Sequence, residues 1–180
     1  MDQGPDSFDR RLAADDIARG LMRGLDREGW RCLTEVPLAT GHRADVMGID
    51  EGGRILIAEV KSSVADFRAD RKWRAYLEHC DLFAFAVGPD FPVAILPADA
   101  GLLVCDGHGA HALRPPAPGP APLAPARRRQ ILVRLARMAA DRWRRGVADP
   151  ADGLDHGRCA PAPPRKGTNA SRRAARRPRP

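Results

Sequence analysis

The stretch ILIAEVK, residues 55–61, constrains the fold more than any other part of the chain. Side chains on a β-strand alternate between faces with period two. Ile55, Ile57, Glu59 and Lys61 therefore share one face, and Leu56, Ala58 and Val60 share the other. Both faces are apolar for most of the length, which predicts a central strand covered above and below. A strand of that kind needs flanking strands and helices on both sides of the sheet, so the expected class is α/β. Glu59 and Lys61 are costly at the end of such a strand unless they are paired or hold an ion. An ion pair, or a strand end emerging into water, is the ordinary account of a Glu-x-Lys. The neighbouring sequence decides whether it is more.

Upstream, Asp6 or Ser7 can cap a first helix. Phe8, Leu12, Ile17, Leu21 and Leu25 then fall near helical spacing, and Gly29 is its stop. Gly20 and Gly24 either weaken this helix or let it pack closely on the sheet. Strands are expected at about 30–38 and 43–49. The turn Asp50-Glu51-Gly52-Gly53 joins the second to the strand 54–61 as a hairpin.

Downstream, Ser62 and Ser63 can cap a helix, with Asp66 completing a capping box. Trp73, Tyr76, Leu77 and Cys80 lie at i, i+3, i+4 and i+7, one buried helical face. Asp70 can cap a fresh turn, dividing the segment into a short helix and a longer one. Residues 82–87 read as another buried strand, and 100–105 with 110–113 as a last hairpin. The Pro/Ala stretch 115–125 reads as a semi-extended linker. Residues 126–145 return to helical period through Ile131, Leu135, Met138 and Ala139. The expected layout is a core over 1–114, the linker 115–125, a basic helix over 126–146 packing on the core, and a disordered basic tail over 147–180.

Asp45, in RADV, lies seven residues before Gly52, and Glu59 lies seven after it. Antiparallel partners share a face, so the two carboxylates converge if the hairpin is regular. Like charges so placed repel unless a cation lies between them. Carboxylate oxygens without sulfur or imidazole suit a hard ion, Mg²⁺ or Mn²⁺. Lys61, on the same face, is placed to orient or deprotonate a metal-activated water, or to neutralise charge developing on a phosphate. Glu35, in TEVPL, is a candidate third carboxylate.

Asp45, followed fourteen positions later by Glu59-Val60-Lys61 across a hairpin after a helix, resembles the PD-(D/E)XK nuclease superfamily. More narrowly, RADV…EVKSSVADFRADRKW…Y…CD…FAV resembles the MmcB-like family of bacterial DNA-repair proteins. The resemblance leaves out the C-terminal tail. It implies a restriction-endonuclease-like mixed sheet flanked by helices. It also implies metal ligation by Asp45, Glu59 and the Val60 carbonyl, with Lys61 as the catalytic lysine. Residue 44 is alanine where the name-giving motif has proline. Some relatives carry the additional acid on the first helix, where Asp15, Asp16 and Asp26 are the alternatives to Glu35.

Lys72 and Tyr76 are at i and i+4 and can share a helix face beside the site. They stand where some nucleases of the superfamily have a Gln-x-x-x-Tyr pair, from which Lys72 departs. Arg43, Ser62, Arg71, Lys72, Tyr76, Arg127 and Arg128 are the expected DNA contacts. The function implied is DNA repair by an Mg²⁺-dependent endonuclease that hydrolyses phosphodiester bonds. The alternative is a non-catalytic accessory of the same fold that binds a DNA structure. Structured or damaged DNA is the expected partner, with other repair proteins beside it.

Charge agrees with that reading and locates it. The net charge is +7, yet residues 1–155 hold 22 Lys/Arg against all 23 Asp/Glu. The remaining 25 residues hold eight Lys/Arg and no acid. Within the first segment the helix 126–145 carries eight arginines against Asp141 alone. Such segments suit phosphate contact without sequence readout. The four cysteines have no close spacing, which fits reduced thiols rather than a disulfide framework. His108 and His111 lack further ligands and read as solvated. No apolar run reaches the ~20 residues of a membrane span, and the N-terminus lacks a signal-peptide apolar core. A soluble cytoplasmic protein is expected.

Overall fold

The computed structural model of the chain describes residues 12–70 and 72–146. Its elements are α1 (Ala14–Arg27), β1 (Arg31–Pro37), β2 (Arg43–Ile49), β3 (Ile55–Lys61), α2 (Val64–Ala69) and α3 (Trp73–Tyr76). A 3-10 turn, Leu77–His79, then leads to β4 (Leu82–Val87), β5 (Gly101–Cys105), β6 (Ala110–Arg114), β7 (Ala117–Pro118) and α4 (Pro125–Arg145). The strands form one mixed sheet in the order β1-β2-β3-β4-β5-β6, with β7 added to β4. β3 pairs parallel with β4, and β4 with β5; the other pairings are antiparallel.

β3 lies between β2 and β4, and all seven of its residues are buried. Its two apolar faces feed two cores. Ile55 and Ile57 join Phe83, Phe85, Trp73, Tyr76, Ile131 and Leu135, beneath α3 and α4. Leu56, Ala58 and Val60 join Ile17, Leu21 and Leu25 of α1. The result is three layers, helix–sheet–helix, as the period-two pattern requires.

α1 packs so closely on the β5–β6 hairpin that a Cβ on Gly20 would stand 2.8 Å from Gly107 N, and one on Gly24 2.7 Å from Ala110 Cβ. The two glycines therefore serve close approach rather than weakening. Asp6, Ser7 and Phe8 lie outside the described residues, and α1 starts after Ala13, which makes no side-chain cap. Asp15 and Asp16 occupy its first turn, where negative charge suits the helix dipole.

The segment after β3 divides at Asp70, as the capping residues predict, but the second part is not the longer helix expected. Ser63 caps α2 by accepting from Asp66 N, and Asp66 Oδ2 accepts from Ser62 N. The chain then turns at Asp70, and only one α turn and one 3-10 turn follow. They still bury Trp73, Tyr76 and Cys80 as the spacing predicts. The Pro/Ala stretch 115–125 is not a bare linker. β7 pairs with β4 at Leu82 and Phe83, Gly119 N donates to Asp81 O, and Leu123 is buried. β7 takes the β4 edge just before β5 begins pairing at Ala84. In α4, Ile131 and Leu135 are buried and Met138 packs on the core, whereas Ala139 faces water. Among the described residues, Cys32, Cys80 and Cys105 take part in no disulfide. No helix among the described residues is long and apolar enough to cross a membrane.

Candidate active site

The hairpin register puts Asp45 level with Glu59. The β2–β3 ladder runs from Ile49↔Ile55 to Val46↔Ala58, and the next step along it is Asp45 and Glu59. There the strands exchange side-chain bonds: Asp45 N donates to Glu59 Oε1 at 3.2 Å, and Val60 N donates to Asp45 Oδ2 at 2.9 Å. Each carboxylate thus grips the other strand's main chain, and both are held at one level of the sheet.

Glu35 stands at the same level on β1. The β1–β2 ladder has Thr34↔Val46 and Val36↔Ala44, which places Glu35 opposite Asp45. Its φ of 54° is left-handed, rare for a residue with a side chain. Leu33 and Val36 consequently pack on the same core, so alternation slips by one at this position. Glu35 remains exposed and pairs with Arg43.

Lys61 is buried, at 4% exposure. Its Nζ lies 2.6 Å from Asp70 Oδ2 and 3.8 Å from Glu59 Oε2. Asp70 Oδ1 accepts from Lys72 N at 2.9 Å, so this acid both caps the turn into α3 and holds the lysine. Sequence reading found only the capping half of its role. A signal for the other half was present: an acid at a helix break, close in sequence to a buried lysine with one acid already beside it.

These groups face one cavity of ≈ 550 Å³ between α1 and the α2–α3 break. Asp15, Glu35, Asp45, Glu59, Asp66 and Asp70 line it, against Arg19, Arg43, Lys61 and Lys72. Of the alternative acids on the first helix, Asp15 reaches the cavity. Asp16 pairs with Arg19, and Asp26 with Arg31. Tyr76 lines the cavity and donates its hydroxyl to Arg43 O at 3.2 Å.

Three expected DNA contacts stand elsewhere. Ser62 borders a separate small recess with Val64 and Gly88. Arg128 makes a two-pronged pair with Asp81 at 2.7 Å on each arm and also donates to Gly53 O, so its guanidinium is occupied at the far end of β3. Arg127 is bonded to Glu78 and is also remote from the cavity. Arg71 lies outside the described residues.

The electrostatics follow from burial. Glu59's carboxyl is pushed up to about 9, first by desolvation and then by the Asp45 charge. Asp45 is raised too, chiefly by burial, though the Val60 N–H and Lys61 oppose the rise. Burial pulls Lys61 down, but the Asp70 hydrogen bond and the charges of Asp70 and Glu59 outweigh it, and its pKa is raised on balance. Burial and the nearby carboxylates raise Tyr76 as well. The cavity holds more carboxylates than it can keep ionised at neutral pH without added positive charge.

A hard dication fits that deficit. Asp45 and Glu59 supply two carboxylates, and Mg²⁺ ordinarily takes one or two, completing its shell with water and substrate phosphate. Among the described residues no group of three or more His, Cys, Asp or Glu forms a ready cage. A dication here would rest on the Asp45–Glu59 pair, with the Val60 carbonyl beside it.

The DNA repair protein MmcB-like family profile matches residues 5–150. The chain belongs to that family. A solved structure with the same fold is a protein of unknown function from Silicibacter pomeroyi, 44% identical, with a TM-score of 0.68. The match covers 73% of this chain and 90% of that one. A comparison with curated proteins finds no match. Membership suggests a role in DNA repair and is consistent with DNA as the partner.

Proposed function

We propose that this MmcB-like protein is a metal-dependent deoxyribonuclease of PD-(D/E)XK type, hydrolysing phosphodiester bonds in structured or damaged DNA. The observation that carries the reading is the pair of the half-buried Asp45 and the buried Glu59, both carboxyls raised, at the head of a cavity with surplus acid. Six carboxylates against four cations oppose an approaching phosphate, and that surplus is what a Mg²⁺ or Mn²⁺ would neutralise. When bound, a divalent cation supplies Lewis acidity and lowers the pKa of water.

The chain's own groups divide the remaining tasks. Asp45, Glu59 and the Val60 carbonyl would hold the ion. Lys61 keeps its proton at Nζ because Asp70 holds it, so it acts as fixed positive charge toward a developing phosphate charge rather than as a base. Arg43 and Lys72, on the cavity rim, would orient the flanking phosphates.

One observation favours the competing reading of a DNA-binding accessory without catalysis: Lys61 Nζ is already engaged by Asp70. A panel of labelled linear and branched DNAs, incubated with the full chain in Mg²⁺, Mn²⁺ or EDTA, separates the two. Cleavage that needs the metal and is lost in Asp45→Asn is the expected result. Binding without cleavage of any substrate in either metal would make the protein the accessory.

A further inference from the structure

The chain has three tryptophans, and two are core residues: Trp30 is 6% exposed and Trp73 is 7%. The third, Trp143 in the last turn of α4, is 90% exposed. Single exposed apolar residues are ordinary on a protein surface, but Trp is a side chain that proteins on average bury well. Helical side chains lean back over the preceding turn. For Trp143 that turn offers Ala139 and Ala140, both exposed and too small to cover an indole. Both faces of the ring are therefore open.

The setting is basic. Arg127 and Arg128 are bonded to Glu78 and Asp81, Arg134 to Pro37 O, Arg142 to Thr34, and Arg144 to Asp141. Arg129, Arg137 and Arg145 are exposed and make no such bond. α4 thus carries unpaired guanidiniums along its length and an uncovered aromatic plane near its end. The helix is also tied to the site, because Thr34, which accepts from Arg142, lines the cavity beside Glu35.

We infer that the exposed face of α4 is a docking surface for unpaired, single-stranded DNA, with Trp143 as a base-stacking platform and Arg129 and Arg137, farther back along that face, as phosphate contacts. An aromatic plane among cations is the combination that binds single strands, since every base has a stackable face and every linkage a charge. A duplex keeps its bases stacked on one another and gains only from the arginines. The inference rests on the proposed action on DNA and names its substrate class: DNA with a single-stranded segment next to the scissile site.

Fluorescence tests this directly, because Trp30 and Trp73 are buried and acrylamide acts mainly on Trp143. Full-length protein is titrated with oligo-dT, with the same oligonucleotide as RNA, and with a blunt duplex of equal charge. Oligo-dT should quench the exposed emission. Trp143→Ala should weaken oligo-dT binding by roughly tenfold, Trp143→Phe should recover most of it, and duplex affinity and salt slope should stay unchanged. Arg137→Ala should weaken single strand and duplex alike.

Equal oligo-dT affinity of wild type and Trp143→Ala would overturn the platform, as would tighter binding of the RNA. Protection of Trp143 from acrylamide before DNA is added would also overturn it, showing that something else covers the ring. Metal-dependent cleavage that persists alongside any of these results leaves the nuclease reading standing, so the two failures are distinguishable.

Discussion

Lys61 Nζ sits 2.6 Å from Asp70 Oδ2, closer than to the Glu59 carboxylate two residues before it, which is 3.8 Å away. The lysine that ends the central strand is therefore held by an acid from the break between α2 and α3, not by its strand neighbour. Both partners of the pair are largely shielded, with side chains 5% and 18% exposed. Asp70 itself is held below the usual carboxylate range: burial opposes this, but the Lys61 hydrogen bond and the Lys72 N–H outweigh it.

Removing Asp70 should accordingly cost stability. Asp70→Ala leaves a buried ammonium without its nearest counter-charge, a loss of roughly 3 kcal/mol. Lys61→Met should cost a similar amount, and the double variant less than the two together, because the pair can be broken only once. Denaturant unfolding of the three variants measures this. Strict additivity would show that the pair contributes no coupling.

Glu59 makes the pH dependence specific. Its carboxyl is pushed up to about 9 in the folded protein against 4.5 as the unperturbed value. Below 4.5 both folded and unfolded states carry the proton. Between 4.5 and 9 the unfolded chain releases it and the folded one keeps it, so stability falls as pH rises through that window. Melting in EDTA should show wild type losing stability toward pH 9 relative to Glu59→Gln, which has no proton to lose. Mg²⁺ should restore wild type and leave Glu59→Gln nearly unchanged. Parallel pH profiles for the two proteins would contradict the burial assignment.

Much of this was legible in the sequence, and the exceptions have physical causes. ILIAEVK specified a central strand because its period-two pattern is apolar on both faces. Counting from the Gly52 turn placed Asp45 beside Glu59 because the hairpin holds one register throughout. The positive φ at Glu35 has no sequence signal, since any side chain disfavours it. The break at Asp70 is legible from its capping residue, but which side chain its carboxylate then holds depends on tertiary packing. Prolines in 115–125 argued against a strand, yet β7 needs only two residues at the edge of β4. A helical wheel counts the arginines of α4 but cannot say that Arg128 is spent on Asp81.

That last pair separates structural arginines from those open to DNA. Asp81 accepts from both arms of Arg128 and from Ile55 N, tying α4 to the starts of β3 and β4. Arg128→Ala should destabilise the fold by about 2 kcal/mol, the scale of charge-assisted hydrogen bonds left unmade. Arg129→Ala, one residue on and without a partner, should leave stability within about 0.5 kcal/mol. The DNA-binding ranking should be reversed, with Arg129→Ala weakening affinity more. Melting curves and binding isotherms on the two variants decide it. Equal stability would remove Arg128 from the structural set.

The basic C-terminal residues lie outside the described part of the chain, and their contribution can be read from salt dependence alone. Residues 156–180 hold eight Lys/Arg and no acid, whereas residues 1–155 are close to neutral. Each phosphate neutralised releases counterions, so the slope of log affinity against log salt counts the contacts, about 0.9 per phosphate on duplex DNA. Deleting residues 156–180 should flatten that slope by several units and weaken binding to all sequences alike, because phosphate contacts carry no base information. Metal-dependent cleavage at saturating DNA should survive, since Asp45, Glu59 and Lys61 are untouched. An unchanged slope would show that these charges do not meet the DNA. A sequence-dependent loss would show that they do more than neutralise its backbone.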